Sequence, residues 1–129
     1  MKSRANDSSQ SGLQADQEAL RQQLDELFKG YILRLPEKLE SIRDIVNSLH
    51  TDRDTGRVLS ELQTLVHKLA GSAGTYGCPD VGRAARDYEL LVTSHLDSDT
   101  GLATEDHAQF EERYADLAMA VELVINSAS

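Results

Sequence analysis

Apolar residues recur along most of the chain at the three- and four-residue steps of helices that bury one face. The pattern stops and restarts several times, and each restart follows residues that cap or break helices. Few stretches alternate apolar and polar residues as strands do. The spacing therefore predicts five helices, with their apolar faces within residues 13–35, 39–49, 58–76, 81–92 and 110–125.

Turn and capping residues predict where these helices end. Pro36 suits the first turn of a helix, so we expect a break or kink between Gly30 and Pro36. Gly77 suits a C-terminal cap and Pro79 a first turn, which ends the third helix and starts the fourth. Polar loops are expected at 50–56 and 97–101. Short connections make consecutive helices antiparallel neighbours. We therefore predict an all-α fold, an up-down antiparallel four-helix bundle with an additional N-terminal helix.

Length and charge limit what such a bundle can do. The 129 residues fit one domain, which we place at 13–126 after a polar, Ser-rich leader, 1–12, that we expect to be disordered. A net charge of −9 repels phosphate backbones and anionic lipids, so we expect neither a nucleic-acid nor a membrane partner. A single cysteine, Cys78, and the lack of an apolar leader indicate a cytoplasmic protein.

His67 is the one histidine whose position on its helix is informative. At roughly 100° per residue, the apolar positions of the third helix share one side, and His67 lies about 180° from Val58. Gly71 and Gly74 fall on the same outward side, although glycine in a helix interior costs about 1 kcal/mol relative to alanine. The core does not explain that cost. These glycines leave the helix surface beside the imidazole without side chains.

An exposed imidazole on such a surface suits few chemistries. A general base needs an orienting carboxylate and a cleft, and neither is evident nearby in the sequence. A metal site needs further ligands at i+3 or i+4, where Ala70 and Gly71 lie. A nucleophile for phosphoryl transfer needs only a neutral ring nitrogen in line with phosphorus, while a partner supplies metal and charge. We therefore expect phosphoryl transfer, with no metal and no cofactor of the chain's own.

The segment LVHKLAGSAGTYG, residues 65–77, resembles the signature of histidine-containing phosphotransfer (HPt) domains, with its H-x-L-x-G-S core on a helix. Downstream, Ala84, Ala85, Glu89 and Leu90 resemble the A…LE helix of that family. Upstream, YILRLPEKL at 31–39 resembles its first bundle helices. The similarity covers most of residues 20–125.

The resemblance implies that His67 is a phosphoacceptor. It would take a phosphoryl group from a receiver-domain aspartyl phosphate, or from a kinase, and pass it to another receiver domain in two-component signalling. We expect the ε nitrogen to react. Many members carry Lys three positions after the histidine, where this chain has Ala70, and whether Lys68 compensates is open. The expected docking surface comprises Gln63, Thr64, Lys68, Ala70, Gly71 and Gly74.

The resemblance also implies what the domain lacks. We expect no autonomous kinase activity, no bound nucleotide, and magnesium only in the partner receiver domain. A monomer is expected rather than an oligomer. The chain fits both a free-standing carrier and a module of a larger kinase or regulator. The alternative function is a non-catalytic adaptor, a helical bundle that binds a receiver or a partner helix without phosphotransfer.

Overall fold

The computed structural model of the chain describes residues 2–49, 51, 54–97 and 102–128. Within these residues every regular element is a helix, which confirms the all-α fold. In chain order the helices are α1 (Lys2–Ser48), α2 (Thr55–Thr75), α3 (Pro79–Leu96) and α4 (Thr104–Ala128). None of the helices in the described ranges has the length and apolarity needed to cross a bilayer.

The predicted break between Gly30 and Pro36 is wrong, because α1 continues through Pro36 without interruption. Proline in a helix interior removes one backbone hydrogen bond and costs about 3 kcal/mol. Ile32 and Leu35, in the turn that precedes this point, are nearly inaccessible to solvent, whereas Pro36 is exposed. Fully burying one such side chain contributes about 1.5–3 kcal/mol, so burial offsets the proline. The first two predicted helices are therefore one helix.

The start of α1 also differs from the sequence-based expectation. The backbone of residues 2–12 is helical, in contrast to the disorder that a polar, Ser-rich leader predicts. Extending an existing helix adds one hydrogen bond for each residue fixed, so a polar segment can continue a helix that its own composition would not start. The domain boundaries at 13 and 126 stay a prediction.

The chain divides into two compact units, Met1–Ile32 and Leu33–Ser129. In the first unit the described residues form a single helix with exposed leucines. The second unit contains the hydrophobic core. Its fully buried side chains come from all four helices and include Leu35, Ile42, Val46, Val58, Leu62, Val66, Val81, Tyr88, Val92, Phe110, Leu117 and Val121.

The packing of α3 on α2 is close because Gly82 faces α2. A Cβ atom at Gly82 would lie 3.6 Å from the carbonyl oxygen of Ala70 and 3.6 Å from the Cβ of Ala73. A methyl group would make ordinary van der Waals contact there, and a longer side chain would meet the α2 backbone. This contact brings the two helices together one turn beyond His67.

The connection between α2 and α3 is a tight, capped turn, as predicted. Gly77 has a φ of 71°, the left-handed conformation that glycine adopts without strain. The amide of Cys78 donates to the carbonyl of Ala73 at 2.8 Å, which closes the end of α2. Pro79 occupies the first turn of α3, where its missing N–H is not needed.

The other two predicted loops lie partly outside the described residues. Asp54 caps the N-terminus of α2, where its side chain accepts a hydrogen bond from the amide of Arg57 at 3.2 Å. Residues 50, 52 and 53 of the first loop and 98–101 of the second are not described. The helix boundaries at Leu96 and Thr104 agree with the second prediction, whereas α2 begins at Thr55, so that the last two residues of the expected first loop are helical.

Arg43 connects α1 to α4 at the edge of the core. Its guanidinium donates to Glu111 Oε2 at 2.6 Å, and this hydrogen bond raises the pKa of Arg43. The same group lies 4.9 Å from the centroid of the Tyr114 ring. Both charged side chains are partly exposed, so the pair orients α4 more than it stabilises the fold.

Replacing Leu69 with alanine tests the core. Leu69 is buried, so we expect Leu69→Ala to lower the free energy of unfolding by about 2–5 kcal/mol. Leu90→Ala is the matched control, because Leu90 is 65% exposed, and it should change stability by no more than about 0.5 kcal/mol. Urea denaturation followed by circular dichroism measures both. Equal losses in the two variants would contradict the assignment of Leu69 to the core.

Candidate functional site

His67 projects from α2 away from the buried face of that helix. Its side chain is 70% exposed, whereas Val66 and Leu69 beside it are buried. The outward direction predicted from the helical wheel is therefore confirmed. A ring in this position is accessible to a second protein without any opening of the fold.

The surface around the ring is bare where the sequence predicts it to be. Gly71 and Gly74 are exposed, and an added Cβ at either position would have no neighbouring atom within 4 Å. Close packing of another helix therefore does not explain these two glycines. They leave the outward face of α2 without a side chain at the positions one and two turns beyond His67.

The structure adds a residue that sequence reasoning did not assign to the site. Glu89 on α3 places its Oε2 atom 2.6 Å from His67 Nδ1, and its side chain is only 20% exposed. A carboxylate accepts hydrogen bonds and cannot donate one, so this contact assigns the ring proton to Nδ1. The lone pair of the neutral ring is then on Nε2, the atom that the sequence analysis expects to react.

The pairing of His67 with Glu89 follows from the turn between α2 and α3. Both residues lie eleven positions from Cys78, at the centre of that turn. Residues equally distant from the turn of an antiparallel helix pair lie at similar heights along the two helices. Gly82 and Gly74 are likewise equally distant from Cys78, and a Cβ on Gly82 would lie 3.9 Å from the amide nitrogen of Gly74. Counting outward from Gly77 and Pro79 could have found the carboxylate.

The expected docking residues do not all reach the surface. Thr64, Lys68, Gly71 and Gly74 are exposed and Gln63 is half-buried. Ala70 is 7% exposed, so its inclusion was wrong. It lies beside the buried face of α2, where its carbonyl oxygen lies near Gly82 of α3. A methyl group there is not available to a partner.

Lys68 faces a different neighbour from His67. It lines a shallow recess of about 100 Å³ between α1 and α2, together with Lys38, Ser41, Ile42, Leu65 and Leu69. Two lysines therefore border one recess, in a chain whose net charge is −9. Whether Lys68 supplies the charge that Ala70 lacks stays a prediction.

The arrangement is suited to nucleophilic chemistry at a single nitrogen. A carboxylate holds one ring nitrogen, and the other is presented from an uncluttered, solvent-exposed surface. Among the described residues no group of three or more His, Cys, Asp or Glu side chains is placed to hold a metal ion.

Removing the Glu89 carboxylate tests the assigned tautomer. With Glu89 present we expect the neutral ring of His67 to carry its proton on Nδ1. In Glu89→Ala the proton should move largely to Nε2, because Glu89 is the hydrogen-bond partner that holds it on Nδ1. Two-bond ¹H–¹⁵N correlation spectra of the neutral ring measure the tautomer. Asp87→Ala, an exposed carboxylate on the same helix, is the control, and an unchanged tautomer in Glu89→Ala would contradict the assignment.

Comparison with known protein families agrees with this geometry. The family model described as the Hpt domain matches residues 11–123, which is most of the chain. No curated protein and no solved structure gives a significant match. The matched region contains α2, α3 and the paired His67 and Glu89. The chain therefore belongs to the Hpt domain family, the helical domains of histidine phosphotransfer in phosphorelay signalling.

Proposed function

We propose that this chain is a phosphorelay intermediate that carries a phosphoryl group on Nε2 of His67. It would accept the group from the aspartyl phosphate of one receiver domain and deliver it to the aspartate of another. The observation that carries this proposal is the 2.6 Å contact between His67 Nδ1 and Glu89 Oε2 on an otherwise open surface. The expectation of magnesium in the receiver domain belongs to this proposal.

The chemical step needs little from this chain beyond the ring and its carboxylate. The Nε2 lone pair attacks phosphorus, the N–P bond forms, and the P–O bond to the donor aspartate breaks, leaving a carboxylate. Because Nδ1 keeps its proton, the phosphorylated ring carries a positive charge. Glu89 lies against that charge and stabilises it. Delivery to the second receiver is the same step in reverse.

The open surface serves the approach of the donor. An in-line attack requires the two reacting groups to come within about 3–3.5 Å of each other. Phosphorus inside a receiver's active site can come that close only if nothing on α2 meets the receiver first. The missing side chains at Gly71 and Gly74 support this reading. Thr64 and Lys68 would border the contact.

Substitution of His67 tests the proposal directly. We expect the wild-type chain to acquire an acid-labile radiolabel from a phosphorylated receiver domain, and also from phosphoramidate, a small donor that needs no docking surface. His67→Gln should lose both labels. His95→Gln, a half-buried histidine at the far end of α3, should keep them. Label retained in His67→Gln would refute the proposal, and tight receiver binding without label would favour the adaptor function.

A bulky residue at Gly71 tests the clearance. Gly71→Leu should leave the fold intact, since a side chain there meets open space. Transfer from a receiver should slow by roughly 10- to 100-fold, because misplacement by about 1 Å has that effect. Labelling by phosphoramidate should change little. Gly56→Leu, in the first turn of the same helix, is the matched control. An unchanged transfer rate would show that the glycines do not provide clearance.

A further inference from the structure

The first unit of the chain carries a row of exposed leucines. Leu13, Leu20, Leu24 and Leu27 lie on α1 and are each 55–61% exposed. Isolated exposed leucines are ordinary on protein surfaces, but four at helical spacing form an apolar stripe along one face of the helix. The stripe lies entirely within Met1–Ile32.

The spacing of the stripe is that of a coiled coil. The steps of seven, four and three residues place Leu13, Leu20 and Leu27 at d positions of a heptad and Leu24 at an a position. The a position between Leu13 and Leu20 is Gln17. A single polar residue at an a position favours one register and a defined number of strands at some cost in stability.

The charges beside the stripe indicate which chain would cover it. Asp16 occupies a g position and Arg21 the following e position. When two copies run parallel and in register, each g residue faces the next e residue of the other chain. Asp16 of each copy would then face Arg21 of the other copy, so that the twofold symmetry gives two ion pairs. Arg21 is available for this contact, since its side chain is 71% exposed and its ion pair with Glu18 is long, at 3.7 Å.

We propose that residues 13–27 form a parallel two-stranded coiled coil with a second copy of this chain. The same helix supplies both the acidic and the basic partner, which is the self-complementarity that a twofold interface requires. The seam spans only about two heptads, so the dimer is reversible and concentration-dependent. It departs from the monomer expected from the sequence, and it does not depend on the proposed function.

Sedimentation equilibrium of the full chain tests the association. The wild type should shift from monomer to dimer as concentration rises. Leu20→Glu combined with Leu24→Glu should raise the dissociation constant of the dimer by at least about tenfold. Leu33→Glu combined with Leu90→Glu is the matched control, because both leucines are exposed and lie outside the stripe. A monomeric wild type, or equal weakening in the control, would overturn the proposal.

Charge reversal and crosslinking test the orientation. Asp16→Arg and Arg21→Asp should each weaken the dimer, and the double variant should restore it. Gln17→Cys should form a disulfide between copies on mild oxidation, since equivalent a positions face each other only in a parallel pair. Cys78 will not compete, because it is buried and burial raises the pKa of its thiol. A dimer without crosslinking and without charge rescue would overturn the parallel arrangement.

Discussion

The site depends on the close packing of α3 against α2. Gly82 allows α3 to lie against the carbonyl of Ala70 and the methyl of Ala73, and the turn at Gly77 fixes the register of the two helices. Together these features place Glu89 beside His67, twenty-two residues away in the chain. If α3 packed on α2 in a different register, Glu89 would not lie beside His67, and the tautomer of the histidine would not be fixed. The chemistry of the exposed surface is therefore set by contacts beneath it.

The two halves of the site differ in their exposure, and the difference is functional in the proposed mechanism. Glu89 is largely shielded, so its interaction with Nδ1 is screened less by solvent than that of a surface carboxylate. His67 is mostly exposed and so remains accessible to a second protein. A shielded carboxylate beneath an exposed ring positions the nucleophile without enclosing it. Neither helix alone could do both.

Much of this could be predicted from the sequence, because the relevant physics is local. The outward direction of His67 and the open space at Gly71 follow from helical periodicity alone. The continuity of α1 through Pro36 could not be predicted, because burial at Ile32 and Leu35 outweighs a local helix breaker. Glu89 and Ala70 escape prediction for a related reason. Both depend on how α3 packs on α2, which the pattern along α2 alone does not show; finding Glu89 required counting across the turn between the two helices.

The bare surface at Gly71 and Gly74 has a consequence for selectivity. A contact area created by leaving out side chains has no shape that only one receiver would fit. In a cell with several receivers it would admit cognate and non-cognate domains alike. In the proposed relay, discrimination would then come from the periphery, where Lys38 and Lys68 border their recess. In this domain the atoms that react and the atoms that choose the partner would be separate, and each set could change during evolution without disturbing the other.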